Sequence, residues 1–222
     1  MSARRLGRTQ RIADVGDLFA PPCGDAPRVL VDDAEGGIRY WPAVFAAHTA
    51  RAWFDALREG MAWETMRRPM YDRVVDVPRL LAACHLDDLP DASPLRAMLA
   101  RVQAFAPAPY TSVGLNLYRD GRDSVAMHGD KLHSLRAGHP IAIVSLGAPR
   151  RMLVRACAGA RTGIAIDLEP GSLLCMSHAA QTTHEHGIPK TTRATGPRMS
   201  VVFRVRPTDE SPPGVVRAAA GR

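Results

Sequence analysis

The sequence lacks the features that mark membrane-spanning, secreted and disulfide-rich proteins. Its 222 residues contain no hydrophobic run long enough to cross a bilayer. Residues 1–19 are basic, but they have neither the continuous apolar stretch nor the small-residue cleavage site of a secretory signal. We therefore expect a cytoplasmic protein. The cysteines are far apart, with no CxxC pair, which argues against a disulfide framework or a cysteine-built zinc site. They are Cys23, Cys84, Cys157 and Cys175.

Acidic residues are scarce relative to basic ones. Lys and Arg together number 29 against 22 Asp and Glu, which gives a formal charge of +7, and only two of the 29 are lysines. A basic protein favours a polyanionic partner, because each phosphate that it neutralises releases counterions. An excess of arginine also arises in proteins from GC-rich genomes. Charge alone therefore leaves both explanations open.

The first half of the chain predicts a short hairpin and two helices. Apolar stretches flank Glu35-Gly36-Gly37, as they do in a hairpin. Apolar residues then recur at helical spacing from Ala50 until Gly60, which predicts a helix that ends there. Ser93-Pro94 combines a capping residue with one that is tolerated at the first helical position, so a second helix should begin here.

From Thr111 onward, short apolar runs alternate with turn residues, which predicts an all-β half over residues 111–206. Strands at this spacing form a sandwich or barrel, and a small double-sheet jelly roll can enclose a metal at its mouth. We predict an α+β, mainly β fold in which N-terminal helices support the β core. The expected organisation is a poorly ordered arm (1–27), one domain (28–207) and a frayed tail (208–222).

His128 and Asp130 carry the main chemical signal. Side chains at i and i+2 of a strand point to the same face, so these two residues would form a two-point clamp, with Gly129 leaving the opposite face bare. Two imidazoles and one carboxylate are the ligands that hold non-haem iron(II) on one face and leave three positions open. The third ligand must come from another segment. His184 and His186 both qualify, since they alternate onto one face.

A second group of polar residues is expected beside this clamp. Asn116 and Tyr118 share one face of the preceding strand, and a hairpin through Asp120-Gly121 would fold that strand back beside the ligands. Arg198 and Arg204 share a face of a later strand, although about 20 Å of extended chain separates their backbones. Both arginines could bind one small dicarboxylate only if twist and long side chains bring them together.

The chain resembles the AlkB family of iron(II)- and 2-oxoglutarate-dependent dioxygenases in an ordered series of residues: Asn116-x-Tyr118, His128-x-Asp130, His186 and Arg198-x5-Arg204. The resemblance covers residues 63–206. It implies a double-stranded β-helix (jelly roll) core, and it favours His186 over His184 as the third ligand. The implied Fe(II) ligands are His128, Asp130 and His186. The residues implied to hold 2-oxoglutarate are Asn116, Tyr118, Arg198 and Arg204.

The resemblance also implies an activity, oxidative demethylation of alkylated bases. In that reaction O2 and 2-oxoglutarate are consumed, succinate is formed, and a hydroxylated N-methyl group leaves as formaldehyde. Metal and cosubstrate supply the oxidation, and the protein supplies the positioning. We therefore expect a monomeric enzyme that acts on DNA or RNA in the repair of alkylation damage.

Residues 63–81 resemble the nucleotide-recognition lid of the same family. A base inside a duplex is inaccessible, so such an enzyme must flip it out or act on single strands. Arginines in this lid are suited to binding phosphates, and an aromatic ring is suited to stacking on a base. The substrate-binding candidates in the lid are Arg67, Arg68, Tyr71, Arg73 and Arg79.

Three residues depart from the family pattern. Met127 and His184 stand where relatives commonly carry Trp, which alters the pocket wall. Leu132 stands where repair members carry an acidic residue that contacts the base, and its side chain cannot accept a hydrogen bond from an exocyclic amine. We keep Leu132 as a candidate substrate contact.

Arg150 and Arg151 are expected at a solvated edge or on a phosphate.

Two other functions are open at this point. The first is the same oxidation directed at a protein side chain or a small metabolite, for which a basic lid would be incidental. The second is a noncatalytic nucleic-acid-binding protein that keeps the fold. The complete ligand series argues against the second, since a binding module has no reason to retain iron ligands together with both arginines.

Overall fold

The computed structural model describes residues 26–70, 73–159 and 163–207, without the side chains of residues 68–70 and 73–75. The expected N-terminal arm, apart from its last two residues, and the expected C-terminal tail lie outside these ranges. The domain limits therefore stay predictions. None of the described helices is long and apolar enough to cross a membrane. Among the described cysteines, Cys84, Cys157 and Cys175 are all free, and Cys157 is exposed.

The hairpin and both helices predicted in the first half of the chain are confirmed. Strands β1 (Arg28–Val31) and β2 (Ile38–Trp41) pair in antiparallel fashion. Helix α1 spans Ala47–Gly60, and helix α2 spans Pro94–Phe105. The Ser93 side chain caps α2 by accepting a hydrogen bond from the backbone N–H of Leu95. Each helix buries one apolar stripe against the sheet.

Ten further strands and two short helical segments complete the described part of the chain. The strands before residue 160 are β3 (Glu64–Met70), β4 (Arg73–His85), β5 (Ser112–Tyr118), β6 (Val125–His128), β7 (Ile141–Gly147) and β8 (Arg150–Ala156). The later strands are β9 (Ile164–Leu168), β10 (Leu173–Met176), β11 (His184–Ile188) and β12 (Arg198–Arg204). A 3-10 turn covers Leu132–Ser134, and helix α3 covers Ala180–Thr183.

The twelve strands form two antiparallel sheets, as expected of a jelly roll. The larger sheet has the order β1-β2-β10-β7-β12-β5-β4-β3, and the smaller one has the order β6-β11-β8-β9. The predicted fold class, mainly β with supporting helices, is therefore confirmed. Strand order differs from chain order in both sheets, so residues far apart in sequence become neighbours.

Strand β12 shows how the two sides of the larger sheet differ. Met199, Val201 and Phe203 belong to the apolar cluster that includes residues of both helices. Val202 belongs instead to the cluster between the two sheets. Because side chains alternate along a strand, the other even-numbered residues of β12 also face the space between the sheets. Arg198 and Arg204 are therefore carried into the interior of the jelly roll, on the same side.

The predicted hairpin through Asp120-Gly121 is wrong. Strand β5 belongs to the larger sheet, whereas β6 belongs to the smaller one, so the connection between them crosses from one sheet to the other. Antiparallel neighbours of β5 are β4 and β12 instead. A local turn signal specifies a change of chain direction but not the sheet that the next strand joins. The crossing places β5 and β6 on opposite sides of the interior.

Candidate metal centre and cosubstrate site

His128 and His186 lie directly opposite each other in the smaller sheet. His128 ends β6, His186 is the middle residue of β11, and the two are Cα partners in the antiparallel pairing. Their ring centroids are 4.6 Å apart. Register therefore brings together two imidazoles that are fifty-eight positions apart in the sequence. Such cross-strand pairs place side chains on one face of a sheet.

Asp130 completes the group just after β6. One oxygen of its carboxylate, Oδ1, lies 3.8 Å from Nε2 of His128. The possible ligand atoms of His128, Asp130 and His186 all lie within 4.8 Å of one another, and the structure contains no other such His, Cys, Asp or Glu cluster in the residues it describes. Two imidazoles and a carboxylate in this arrangement match the donor set of a non-haem iron(II) site.

The orientation of His128 and the burial of His186 suit metal binding. Nδ1 of His128 lies 2.9 Å from the carbonyl oxygen of Ala126, which can only accept a hydrogen bond, so Nδ1 is the donor and Nε2 is the nitrogen directed at Asp130. Burial, reinforced by His128, lowers the pKa of His186 to about 4, which keeps this ring neutral at physiological pH. Nδ1 of His186 is buried without a hydrogen-bond partner, so no protein group competes with a metal ion for this nitrogen.

Arg204 contacts the metal-ligand candidate Asp130. Its Nε donates to Oδ2 of Asp130 at 2.7 Å. Burial alone raises the pKa of Asp130, but the charge and hydrogen bond of Arg204 outweigh it and hold that pKa below its ordinary value. Gly114 on β5 leaves room for this arginine, since a Cβ there would lie 3.3 Å from Nη1. Arg204 therefore sits at the metal end of the interior.

Arg198 occupies the other end of the same strand face and is almost fully buried, with 1% of its surface exposed. Its Nε donates to Oγ of Ser145 at 3.0 Å, but Nη1 and Nη2 have no hydrogen-bond partner. A buried guanidinium with two free donors is costly unless an anion pairs with it. Its fork matches a carboxylate group. Arg198 thus fits one carboxylate group of a dicarboxylate such as 2-oxoglutarate.

The guanidinium of Arg198 lies over the ring of Tyr118, with its central carbon Cζ 5.2 Å from the ring centroid. A second cation, Arg150, lies 5.7 Å from the same ring. The expectation that Arg150 belongs to a solvated edge is wrong: it is buried, and it donates to the carbonyl oxygens of Asp120, Asp123 and Pro189. No local sequence signal distinguishes it from its neighbour Arg151, which is exposed and paired with Asp167.

Asn116 lies on β5, the strand adjacent to β12, at a level between Arg198 and Arg204. Its Nδ2 donates to Oγ of Ser200 at 3.3 Å, and its Oδ1 accepts from Nε of Arg79 at 2.8 Å. Asn116 and Ser200 are partners in the β5–β12 register. The four residues predicted to hold 2-oxoglutarate are therefore gathered on two adjacent strands, with Arg198 and Arg204 at the two ends and Asn116 between them.

Gln181 is a site residue that sequence analysis missed. Its Oε1 accepts a hydrogen bond from the backbone N–H of Asp130 at 3.0 Å, and its side chain is buried. A Cβ on Gly129 would lie 2.6 Å from the backbone oxygen of Gln181, so only glycine permits this close approach. A glutamine in a short polar run gives no signal of such a contact. The contact fixes the turn that carries Asp130.

His184 stands apart from the three clustered residues. Its Nδ1 is 2.9 Å from Oγ1 of Thr183, and its ring is not part of the cluster. Leu132 lies in the 3-10 turn after Asp130 and is 39% exposed. This places a large apolar side chain, open to solvent, two residues after the candidate ligand Asp130.

The predicted lid corresponds to the hairpin of β3 and β4 at one end of the larger sheet. Arg67 lies on β3 with 68% of its side chain exposed, 3.3 Å from Asp76 on β4. Arg79 is turned toward Asn116 instead. Tyr71 lies outside the described residues, and so do the side chains of Arg68 and Arg73.

A family model described as the 2OG-Fe(II) oxygenase superfamily matches residues 81–206. The matched segment contains the three clustered ligands and the four predicted cosubstrate residues, and it is more than half of the chain.

Among curated proteins, the chain is similar to DNA oxidative demethylase ALKBH2 of Bos taurus, with 33% identity over 111 residues, which is 47% of this chain and 40% of that protein. It is also similar to alpha-ketoglutarate-dependent dioxygenase alkB homolog 3 of Mus musculus, with 30% identity over 118 residues, which is 50% of this chain and 41% of that protein. The matches thus span about two fifths of the length of these relatives.

Among solved structures, the fold is similar to that of an oxidoreductase of the 2OG-Fe(II) oxygenase family from Burkholderia pseudomallei. The two share 19% identity with a TM-score of 0.53, and the match covers 76% of this chain and 84% of that one. At this identity the likeness concerns the fold alone.

Proposed function

The chain belongs to the 2OG-Fe(II) oxygenase superfamily, and we propose that it is an iron(II)- and 2-oxoglutarate-dependent dioxygenase of AlkB type. Its proposed reaction is the oxidative demethylation of N-alkylated bases in DNA or RNA. The observation that carries the proposal is that a possible metal site and a buried cation without an anionic partner both lie in the interior of the jelly roll. The three-ligand cluster, in which His186 is buried and His128 and Asp130 are partly exposed, lies at one end. The guanidinium of Arg198, whose Nη1 and Nη2 have no hydrogen-bond partner, lies at the other.

Each residue has a distinct task in this proposal. His128, Asp130 and His186 hold Fe(II), which together with 2-oxoglutarate and O2 supplies the oxidation when it is bound. Arg198 pairs with the distal carboxylate of 2-oxoglutarate, and its Nη1 and Nη2 are the donors that await this partner. Arg204 holds Oδ2 of Asp130, so Oδ1 is the oxygen left for the metal.

Two more residues keep the cosubstrate in place. Tyr118 forms an aromatic floor beneath the guanidinium of Arg198. Asn116 lies between the two arginines on the adjacent strand and offers a polar group to the middle of an elongated dicarboxylate. The surroundings of Arg198 exclude water, which strengthens the charge pairing on which this orientation depends.

The β3–β4 hairpin is the proposed nucleic-acid contact. Arg67 presents a cation to solvent there, Arg68 and Arg73 belong to the same two strands, and Tyr71 lies between them in the sequence. One protein to which the chain is similar is named as a DNA oxidative demethylase, which supports a nucleic-acid substrate. The net charge of +7 supports it as well. A monomeric state and a cytoplasmic location stay predictions.

One observation favours a second candidate, the same oxidation of a protein side chain or a small metabolite. Leu132 is exposed beside the metal ligands and provides no acceptor for an exocyclic amine of a base. An apolar side chain at this position would suit an aliphatic substrate group as well as a base. The two candidates share the metal centre and the cosubstrate site, and they differ only in what approaches Leu132.

Turnover on defined oligonucleotides tests the proposed function. The Fe(II)-loaded protein is supplied with 2-oxoglutarate and with oligonucleotides that contain 1-methyladenine or 3-methylcytosine, and succinate and formaldehyde are both counted. We expect the two products in equal amounts, and unmethylated strands serve as the control. Succinate without formaldehyde would favour the protein or metabolite candidate. The absence of both products, in a protein that binds metal and cosubstrate, would contradict the nucleic-acid substrate.

A further inference from the structure

Arg79 lies on β4, at the point where this strand begins to pair with β5. Strand β4 pairs with β5 from Leu80 to His85, so Arg79 is the residue just before that pairing begins. The carbonyl oxygen of Pro78 accepts a hydrogen bond from the backbone N–H of Ser124, in the connection between β5 and β6. The base of the hairpin is thus tied to the segment that leads to the metal ligands.

The side chain of Arg79 is directed at the cosubstrate strand. Its Nε donates to Oδ1 of Asn116 at 2.8 Å, and its Nη1 donates to the carbonyl oxygen of Ser124 at 3.3 Å. The amide of Asn116 is thereby oriented, because its Oδ1 accepts from Arg79 while its Nδ2 donates to Ser200 at 3.3 Å. A flipped amide would set two donor groups against each other at Arg79.

We propose that Arg79 is a positioning residue that fixes Asn116 for cosubstrate binding and thereby couples the base of the β3–β4 hairpin to the 2-oxoglutarate site. Its role differs from that of Arg67, whose exposed side chain faces Asp76 on the surface of the same hairpin. The inference rests on the proposed assignment of Asn116 to 2-oxoglutarate. It requires no phosphate contact from Arg79.

Calorimetric titration of 2-oxoglutarate into the Mn(II)-loaded protein tests this role, because Mn(II) fills the metal site without turnover. Arg79→Lys keeps the positive charge but loses the planar fork that reaches both Asn116 and Ser124. We expect it to raise the Kd for 2-oxoglutarate about tenfold, the effect of one lost hydrogen bond to a charged group. Arg79→Gln is measured alongside in case the lysine variant does not fold.

A double-mutant cycle separates positioning from general damage. Asn116→Ala removes the group through which Arg79 acts, so Arg79→Lys in that background should cost no further 2-oxoglutarate affinity. A merely structural role for Arg79 would leave its effect additive with that of Asn116→Ala. The control is Arg67→Gln, which should leave the 2-oxoglutarate Kd unchanged while it flattens the salt dependence of oligonucleotide binding. Arg79→Lys should leave that salt dependence as it is.

The inference is overturned if both Arg79 variants bind 2-oxoglutarate like the wild type, or if the effects of Arg79→Lys and Asn116→Ala add. Failure of the proposed function gives different results. A wild type that binds 2-oxoglutarate but demethylates no oligonucleotide contradicts the nucleic-acid substrate and leaves the inference standing. A wild type that binds no 2-oxoglutarate contradicts the cosubstrate assignment, and the role of Arg79 falls with it.

Discussion

Nε of Arg204 donates to Oδ2 of Asp130 over 2.7 Å, so one oxygen of the carboxylate is held by the arginine while the other faces His128. The sequence predicted Arg204 only as a cosubstrate contact. From its pairing with a metal-ligand candidate we infer a second task, which is to fix the orientation of the carboxylate at the metal end of the site.

Arg204→Gln should therefore weaken metal binding as well as 2-oxoglutarate binding. Loss of an outer contact to a metal ligand typically lowers metal affinity about 10- to 100-fold, and we expect an increase in the Mn(II) Kd of this size. Arg151→Gln, which removes an exposed arginine from its pair with Asp167, is the matched control. An Mn(II) Kd for Arg204→Gln equal to that of the control would contradict the assignment.

Arg198→Gln should weaken 2-oxoglutarate binding without weakening metal binding. The unpaired Nη1 and Nη2 lie far along β12 from Asp130, so the variant should retain Mn(II) affinity. Its 2-oxoglutarate Kd should rise about 10²- to 10³-fold, because breaking a buried charge pair costs roughly 3–5 kcal/mol. Ser145→Ala, which leaves the guanidinium in place, should cause a much smaller loss. An unchanged cosubstrate Kd in Arg198→Gln would assign the carboxylate to another cation.

The candidate metal ligands could be predicted from sequence only in part. Alternation predicts that His128 and Asp130 share one face of a strand, whereas β6 ends at His128 and Asp130 lies in the turn after it. Alternation also does not distinguish His184 from His186 as the third ligand. The register between β6 and β11 sets His186 opposite His128, and register depends on the whole sheet. The family resemblance favoured the residue that the structure places in the cluster.

Contacts assembled from distant segments could not be predicted. Arg150 is held by carbonyl groups of Asp120, Asp123 and Pro189, which come from two separate connections. Its neighbour Arg151 has the same residue type and an exposed surface, so a local pattern cannot separate the two. The hairpin and helices of the first half could be predicted because their turn and capping signals are local.

Gln181→Leu should weaken metal binding about tenfold, at the lower end of the range for outer contacts. The substitution leaves the partly buried backbone N–H of Asp130 without its acceptor and loosens the turn that carries the carboxylate. Gln103→Leu, on the exposed side of α2, is the control for the loss of an amide. If both variants bind Mn(II) with wild-type affinity, Gln181 does not position Asp130.

Asp123→Asn should destabilise the connection between β5 and β6 in a pH-dependent way. Asp123 is buried and accepts hydrogen bonds from the backbone and guanidinium of Arg119. Burial raises its pKa, but these bonds outweigh that effect and hold the pKa below the ordinary value of 3.8. The stabilisation is therefore present above pH 3.8 and is lost as the pH falls through the lowered pKa.

Denaturant unfolding at several pH values measures this effect. We expect Asp123→Asn to lower the free energy of unfolding by about 1–2 kcal/mol at pH 7. The difference from wild type should shrink as the pH falls below 3.8. Asp167→Asn, which breaks the exposed pair with Arg151, should cost less than about 1 kcal/mol and serves as the control. A difference for Asp123→Asn that does not change with pH would contradict the ion-pair explanation.

Anaerobic titration with Fe(II) and 2-oxoglutarate tests the metal centre most directly. The metal-to-ligand absorption band reports the two bound together. The wild type and His184→Ala should bind one iron and one 2-oxoglutarate per chain and develop the band, whereas His128→Ala, Asp130→Ala and His186→Ala should not. A band that survives in His186→Ala but is lost in His184→Ala would contradict the proposed metal centre.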